Sequence, residues 1–111
     1  MNISIRGRHL GMSDALKAYA ARRLAFSIGS FGSRVSGVDI RVADVNGPRG
    51  GVDKTCVITT VLQPVGTLVA RGRHSNAYSA IDRAADRTRT LLVRHVQRRL
   101  QTRRRRRRLA H

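Results

Sequence analysis

The sequence predicts an α+β fold with the order βαβββα, in which two helices pack on one face of a four-stranded sheet and a basic tail follows. Two segments repeat apolar residues every three to four positions, which is typical of amphipathic helices, and four segments carry alternating or β-branched residues, which is typical of strands. A helix and a sheet with one apolar side each bury those sides against each other, so a two-layer sandwich results. The 111 residues are enough for one domain with a single core.

A short strand followed by an amphipathic helix is predicted first. Residues 2–6 alternate, with Ile3 and Ile5 on one face, and predict a strand. Ser13 is a good N-cap for a helix from residue 14 to about residue 27, because its hydroxyl can accept from a free N–H of the first turn. A loop rich in glycine and serine is expected after this helix.

Three consecutive strands are predicted next. Residues 38–45 alternate strictly, which places Asp39 and Arg41 on the face opposite the apolar side chains. Residues 54–62 are rich in β-branched side chains and predict a central strand, and residues 67–74 predict the fourth. Because the connections are short, these strands are expected to be antiparallel neighbours, with the first strand beside them.

The second helix, over residues 75–100, has one apolar side and one basic side. Ser75 or Asn76 can cap its start, and neither Pro nor Gly interrupts it. The apolar side is formed by Tyr78, Ile81, Ala85, Thr88, Leu92 and Val96. The nearly opposite side is formed by Arg83, Arg87, Arg94 and Arg98. One side therefore suits a sheet, and the other suits a row of phosphates.

The charge balance points to a polyanionic partner. The chain has 23 basic residues against 6 acidic ones, all of which are Asp, and its net charge is +17. Eight of the basic residues follow Gln97, so residues 1–97 still carry +9. Nucleic acid is the first candidate for such a surface and anionic lipid the second. After Leu100 come six consecutive arginines, and we expect residues 101–111 to form a disordered arginine-rich tail or a frayed continuation of the helix.

Enzyme, metal and membrane functions find no support in the residues. The four histidines show no ligand spacing with one another or with Cys56, and no nucleophile stands beside a base. The glycines around Pro48 lack the Lys-Ser/Thr ending of a phosphate loop. A lone cysteine and the absence of a signal or membrane segment predict a cytoplasmic protein. Because the motifs of metal, phosphate-loop and catalytic sites are missing, we expect neither a cofactor nor a small-molecule substrate.

Several motifs resemble those of one family. They are Ile3-x-Ile5-x-Gly7-Arg8-His9-Leu10; Ala15-Leu16-x-x-Tyr19 with Arg23-Leu24; the loop of residues 44–56; and Ala77-Tyr78-x-Ala80-Ile81-Asp82 followed by Asp86-Arg87. Their order and spacing resemble the short-form ribosome hibernation-promoting and ribosome-associated inhibitor proteins, which are also called sigma-54 modulation proteins. The resemblance spans residues 1 to about 98. The six-arginine run is not a feature of that pattern.

The resemblance implies a non-enzymatic factor that binds the rRNA of the small ribosomal subunit in the mRNA and tRNA channel. Such a factor inhibits translation during stress or stationary phase. The candidate rRNA-binding residues are Arg22, Arg23, Arg83, Arg87 and Arg94 by resemblance, with Arg98 added from its helical spacing. Possible additional RNA contacts are Arg6, Arg8, Arg49, Arg71 and Arg73.

Two alternatives remain open from the sequence. One is a general RNA- or DNA-binding protein dominated by its arginine tail, and the other is an adaptor attracted to acidic membrane surfaces. The membrane alternative lacks an apolar anchor beside the charge. The long-form members of the resembled family carry an additional dimerisation domain that we do not expect here, so the protein is not expected to pair ribosomes by that route. The free protein is expected to be monomeric.

Overall fold

A computed structural model describes residues 2–45 and 53–110. The elements are strand β1 (Asn2–Arg8), helix α1 (Asp14–Ile28), a short 3-10 helix (Gly29–Arg34), strands β2 (Val35–Asp44), β3 (Lys54–Leu62) and β4 (Thr67–His74), and helix α2 (Ala77–Leu109). The βαβββα order and the α+β class are confirmed.

The sheet is mixed, with the strand order β1-β2-β3-β4. β1 runs parallel to β2 because α1 carries the chain back along the sheet, whereas the short connections make the other pairs antiparallel. The register places Ile5 opposite Ile40 and Arg6 opposite Arg41. Since successive side chains alternate, the buried apolar residues of the strands point to one face, and the arginines point to the other together with Val57, Val61 and Val69.

Both helices cover the apolar face of the sheet and form one core with it. The buried residues of the helices are Leu16, Ala20, Leu24, Ile28, Ala80, Ile81, Ala84, Ala85 and Leu92. They meet buried residues of the inner strands, chiefly Val38, Ile40, Val42, Cys56, Ile58 and Leu62. The opposite face of the sheet is covered by no helix among the described residues, and we name it the open face.

Side-chain caps and one glycine fix the position of the helices. The Ser13 hydroxyl accepts from the N–H of Leu16 at 3.1 Å, and the Asn76 carboxamide oxygen accepts from the N–H of Tyr78 at 2.8 Å. α2 crosses β4 so closely that a Cβ on Gly72 would lie 2.6 Å from the amide nitrogen of Ala84. Only glycine fits there without moving the helix.

The structure extends three of the predicted elements. β1 continues to Arg8, and part of the predicted loop forms the 3-10 helix followed by an earlier start of β2. α2 continues without a break through residue 109, so residues 101–109 lie in the helix. The expected boundary at residue 100, between the folded domain and the arginine-rich tail, therefore falls inside one helix. No residue of α2 beyond Leu92 is buried. The loop with Arg49 lies outside the described residues.

Candidate nucleic-acid interface

The basic side of α2 is formed as its spacing predicts. Arg83, Arg87, Arg94 and Arg98, which we name the α2 stripe, are all exposed. At about 1.5 Å of rise per residue the stripe is roughly 22 Å long. Within the described ranges, no ion pair to a carboxylate involves any of the four side chains.

The position of the α2 stripe relative to the sheet follows from one contact. The Nη1 of Arg83 donates to the backbone carbonyl oxygen of Arg73 on β4 at 2.9 Å. The stripe therefore borders β4, one of the two edge strands of the sheet, and lies on the side of α2 away from α1. Its guanidinium groups can approach a phosphate backbone without meeting α1.

The carboxylates of α2 lie on the other side of the helix, against α1. Asp82 accepts from the Nε of Arg23 at 3.0 Å and from the hydroxyl of Tyr19, and Asp86 accepts from the Nη2 of Arg23. The hydrogen bond to Asp82 is the main cause that raises the pKa of Tyr19 above its usual value. Tyr78, which the periodicity placed in the core, is 40% exposed and packs its ring edge-to-face on Tyr19.

The two candidate arginines of α1 have different surroundings. Arg22 is exposed. Arg23 is mostly buried, with 22% of its side chain exposed, and its guanidinium bridges Asp82 and Asp86. The structure thus gives Arg23 a role in joining the helices, and its contact with rRNA stays a prediction. Sequence reasoning missed this pairing because the partners lie 59 and 63 residues away along the chain.

Arg89 of α2 also contacts α1 and the 3-10 helix that follows it. Its guanidinium lies 4.8 Å from the centre of the Phe31 ring and donates to the carbonyl oxygens of Ser27 and Ile28. A cation at this position complements the negative end of the α1 dipole. Asp86 forms its ion pair with Arg23 of α1.

The possible additional contacts lie on the open face of the sheet, opposite the helices. Arg6, Arg8, Arg71 and Arg73 are exposed there, and Arg41, which was not a candidate, lies among them. Since the alternation of residues 38–45 already placed Arg41 outward, the sequence contained the signal. These residues do not continue the outer surface of the two helices; they form a second basic surface that meets the α2 stripe only at the edge of β4.

The last part of α2 projects beyond the sheet. Residues 97–109, which we name the extension, include Arg98 at the end of the α2 stripe and the six-arginine run, and have no buried residue. The longest dimension of the molecule is 63 Å, against 24 Å for the next. The extension contributes positive charge on all sides of the helix.

A cluster of metal-ligating side chains is the feature that a metal site would require in the described residues. Residues 2–45 and 53–110 contain no group of three His, Cys, Asp or Glu side chains placed to hold a metal ion. The Cys56 thiol is buried, and burial raises its pKa to about 12, so it stays protonated and unreactive. None of the described helices is both long and apolar enough to cross a bilayer.

Comparisons with known proteins agree with this fold. Residues 3–100 match the family described as sigma 54 modulation protein / S30EA ribosomal protein. The crystal structure of the N-terminal domain of Protein Y from Thermus thermophilus is similar with a TM-score of 0.68 and 24% identity, over 86% of this chain and 99% of that one. A ribosomal subunit interface protein from Coxiella burnetii is similar with a TM-score of 0.76 and 18% identity, over 87% and 99%. No curated protein sequence matches significantly.

Proposed function

The chain belongs to the sigma-54 modulation protein / S30EA family of non-enzymatic, ribosome-associated modulators, and we propose that it silences translation by occupying the small ribosomal subunit. In this proposal the protein binds rRNA in the channel for mRNA and tRNA, in the cytoplasm, during stress or stationary phase. The α2 stripe supplies the principal contacts, and Arg22 adds one from α1.

The observation that carries the proposal is the separation of charges on α2. The four arginines of the stripe are exposed and unpaired by carboxylates in the described ranges, whereas Asp82 and Asp86 are turned to α1 and neutralised there by Arg23. A guanidinium group can hold a phosphate through two parallel hydrogen bonds. A row of unpaired guanidinium groups on a packed helix is a preorganised surface for an RNA backbone.

Recognition by this surface depends on shape. Phosphate contacts position a protein on RNA without reading bases, so selectivity comes from the fit of the folded domain between RNA segments. The packed sandwich makes the position of the α2 stripe rigid relative to the sheet. Once bound, the body of the domain fills space that mRNA or tRNA would need, and inhibition requires no chemistry.

The direct test replaces Arg83 and Arg87 by Glu and measures binding to purified small subunits by sedimentation. Two charge-assisted hydrogen bonds, each contributing about 1.5–3 kcal/mol, predict at least about a hundredfold weaker binding. The matched control is Arg107→Glu with Arg108→Glu, which makes the same charge change on the same helix outside the stripe. Thermal unfolding and circular dichroism check that both variants fold.

The proposal expects the stripe variant to lose both small-subunit binding and inhibition of translation in a cell-free system, while the control keeps most of each. If the stripe variant sediments with small subunits as the wild type does, the α2 stripe is not the binding surface.

The exposed extension favours one other function, a general nucleic-acid-binding protein whose affinity resides in residues 103–108. Deleting residues 103–111 separates the two functions. The ribosomal proposal expects most small-subunit affinity to survive, because the α2 stripe remains. The general-binder alternative expects the affinity to be lost.

A further inference from the structure

We propose that the open face of the sheet is a second phosphate-binding surface, which holds an RNA segment separate from the one bound by the α2 stripe. This inference rests on the proposed function and adds to it that the domain is held between two RNA segments. The residues are Arg6, Arg8, Arg41, Arg71 and Arg73, which we name the sheet cluster.

The register of the strands brings the sheet cluster together. Arg6 lies opposite Arg41, Arg41 opposite Val57, and Val57 opposite Arg71, so one row crosses all four strands. With strands about 4.8 Å apart, the row is roughly 14 Å wide. The adjacent row begins at Arg8 and ends at Arg73 through Ala43 and Thr55. Five guanidinium groups thus occupy one end of the open face.

The charge of the sheet cluster is only partly compensated. Asp39 is the one carboxylate on the open face in the described part of the chain; it accepts from the Nε of Arg41 at 2.9 Å and from the Nη2 of Arg6 at 3.3 Å. Arg8, Arg71 and Arg73 form no ion pair within the described residues. Like charges in neighbouring strand positions destabilise a sheet, so folding alone does not favour this arrangement. A polyanion that covers the face would relieve the repulsion.

The chemistry of the open face indicates a phosphate backbone rather than unstacked bases. All four aromatic residues of the chain, Tyr19, Phe26, Phe31 and Tyr78, lie on the helices or in the 3-10 helix. The open face therefore has no aromatic platform of the kind on which sheet-based RNA-binding domains stack bases. Its other side chains are small or β-branched, including Thr55, Val57 and Thr59. A flat surface with guanidinium groups at one end fits the backbone of a structured RNA.

The two basic surfaces point in different directions. They meet at the edge of β4, where Arg83 of the α2 stripe contacts the backbone of Arg73 in the sheet cluster. From that edge the stripe continues on the helix layer and the cluster continues under the sheet. A single straight RNA segment cannot lie flat on both, so simultaneous contact requires two segments with the domain between them.

The test is directed hydroxyl-radical cleavage of rRNA from iron tethered to one engineered cysteine. Thr59→Cys places the iron on the open face, because Thr59 pairs with Asp39 and Val69. Thr90→Cys places it on the exposed side of α2. The natural Cys56 is fully buried, so the wild-type chain serves as the untethered control.

The inference expects both tethers to cleave small-subunit rRNA, at two different segments. Cleavage from Thr90→Cys alone would overturn the inference and leave the proposed function intact, because the open face would then point to solvent. Cleavage of one shared segment would also overturn it. If neither tether cleaves, both proposals fail.

A second measurement uses the salt dependence of binding. Arg71→Gln with Arg73→Gln is expected to weaken small-subunit binding about tenfold and to lower the slope of log affinity against log salt by about two, because two phosphate contacts are removed. The matched control is Arg107→Gln with Arg108→Gln. An unchanged affinity and slope in the sheet variant would contradict the inference, whatever the Arg83 and Arg87 variants do.

Discussion

The first and last parts of α2 form one continuous helix but are stabilised in different ways. Residues 77–96 lie on the sheet, and their buried residues, from Ala80 to Leu92, recur at each turn. The extension, residues 97–109, has no buried residue and carries eight arginines. The packed part derives its stability from tertiary contacts, whereas the extension relies on hydrogen bonds within the helix, including one from the Thr102 hydroxyl to the carbonyl oxygen of Arg98.

The difference also concerns what the charges can do. In the packed part, Asp82 and Asp86 face α1, and Arg83, Arg87 and Arg94 of the α2 stripe face outward, so the charge is arranged by the fold. In the extension, Arg103 and Arg107 lie one turn apart, as do Arg104 and Arg108, and like charges at this spacing destabilise a helix. We infer that the packed part provides selectivity for a shaped RNA and that the extension adds attraction to any polyanion.

The comparison predicts that replacing a leucine by alanine has very different effects on stability in the two parts. Leu92→Ala removes a completely buried side chain and should lower the free energy of unfolding by about 2–5 kcal/mol. Leu109→Ala removes a side chain that is 82% exposed and should change it by less than about 0.5 kcal/mol. Chemical denaturation measures both. Equal effects would mean that the extension packs on the domain.

A second substitution tests how closely the packed part lies on β4. Gly72→Ala puts a Cβ against the backbone of Ala80 and Ala84, and should cost about 1–3 kcal/mol of unfolding free energy because the helix must move. Gly11→Ala is the control, since a Cβ there has no neighbour within 4 Å. A neutral Gly72→Ala would show that α2 sits farther from the sheet.

The helix content of the extension should depend on the ionic environment. Comparing the circular dichroism of the whole chain with that of a chain lacking residues 101–111 isolates its contribution. We expect that contribution to grow when salt or a polyanion screens the arginines, because repulsion at i,i+4 is reduced. The signal of the truncated chain should stay constant. An extension signal independent of salt would contradict the role of repulsion.

The smallest predicted effect concerns His95, which lies where the packed part ends. Burial, and then the charges of Arg99, Arg34 and Arg98, lower its pKa below 6.5. The unfolded chain therefore binds a proton on His95 at a higher pH than the folded chain does. The contribution of neutral His95 to the free energy of unfolding is complete above pH 6.5 and is lost as the pH falls towards the lowered pKa. Arg99→Gln should raise the pKa of His95, as measured by NMR titration. No shift would show that the Arg99 charge does not reach the ring.

Local patterns were sufficient for the order of the strands and α-helices and for the exposure of the α2 stripe, but not for the ends of the elements or for the 3-10 helix. The alternation of residues 38–45 and the spacing from Arg83 to Arg98 each depend on one segment, and the structure has the strand and the exposed arginines where they predict them. Arg23 and Arg89 could not be assigned in this way, because their partners lie in the other helix and become neighbours only when α1 and α2 pack. The division of the basic residues between two faces likewise follows from the sheet register and the layer order, which no single segment contains.

The central claim, that the packed domain and not the extension recognises the ribosome, is tested most directly by a ratio of affinities. The measurement is the affinity for small subunits divided by the affinity for an unrelated duplex RNA, at one salt concentration. It is made for three proteins: the whole chain, the chain lacking residues 101–111, and the double variant Arg83→Glu with Arg87→Glu. The account predicts that truncation raises the ratio, because it removes attraction common to both RNAs, and that the stripe variant lowers it by at least about tenfold. A ratio that falls on truncation and is unchanged in the stripe variant would contradict the account.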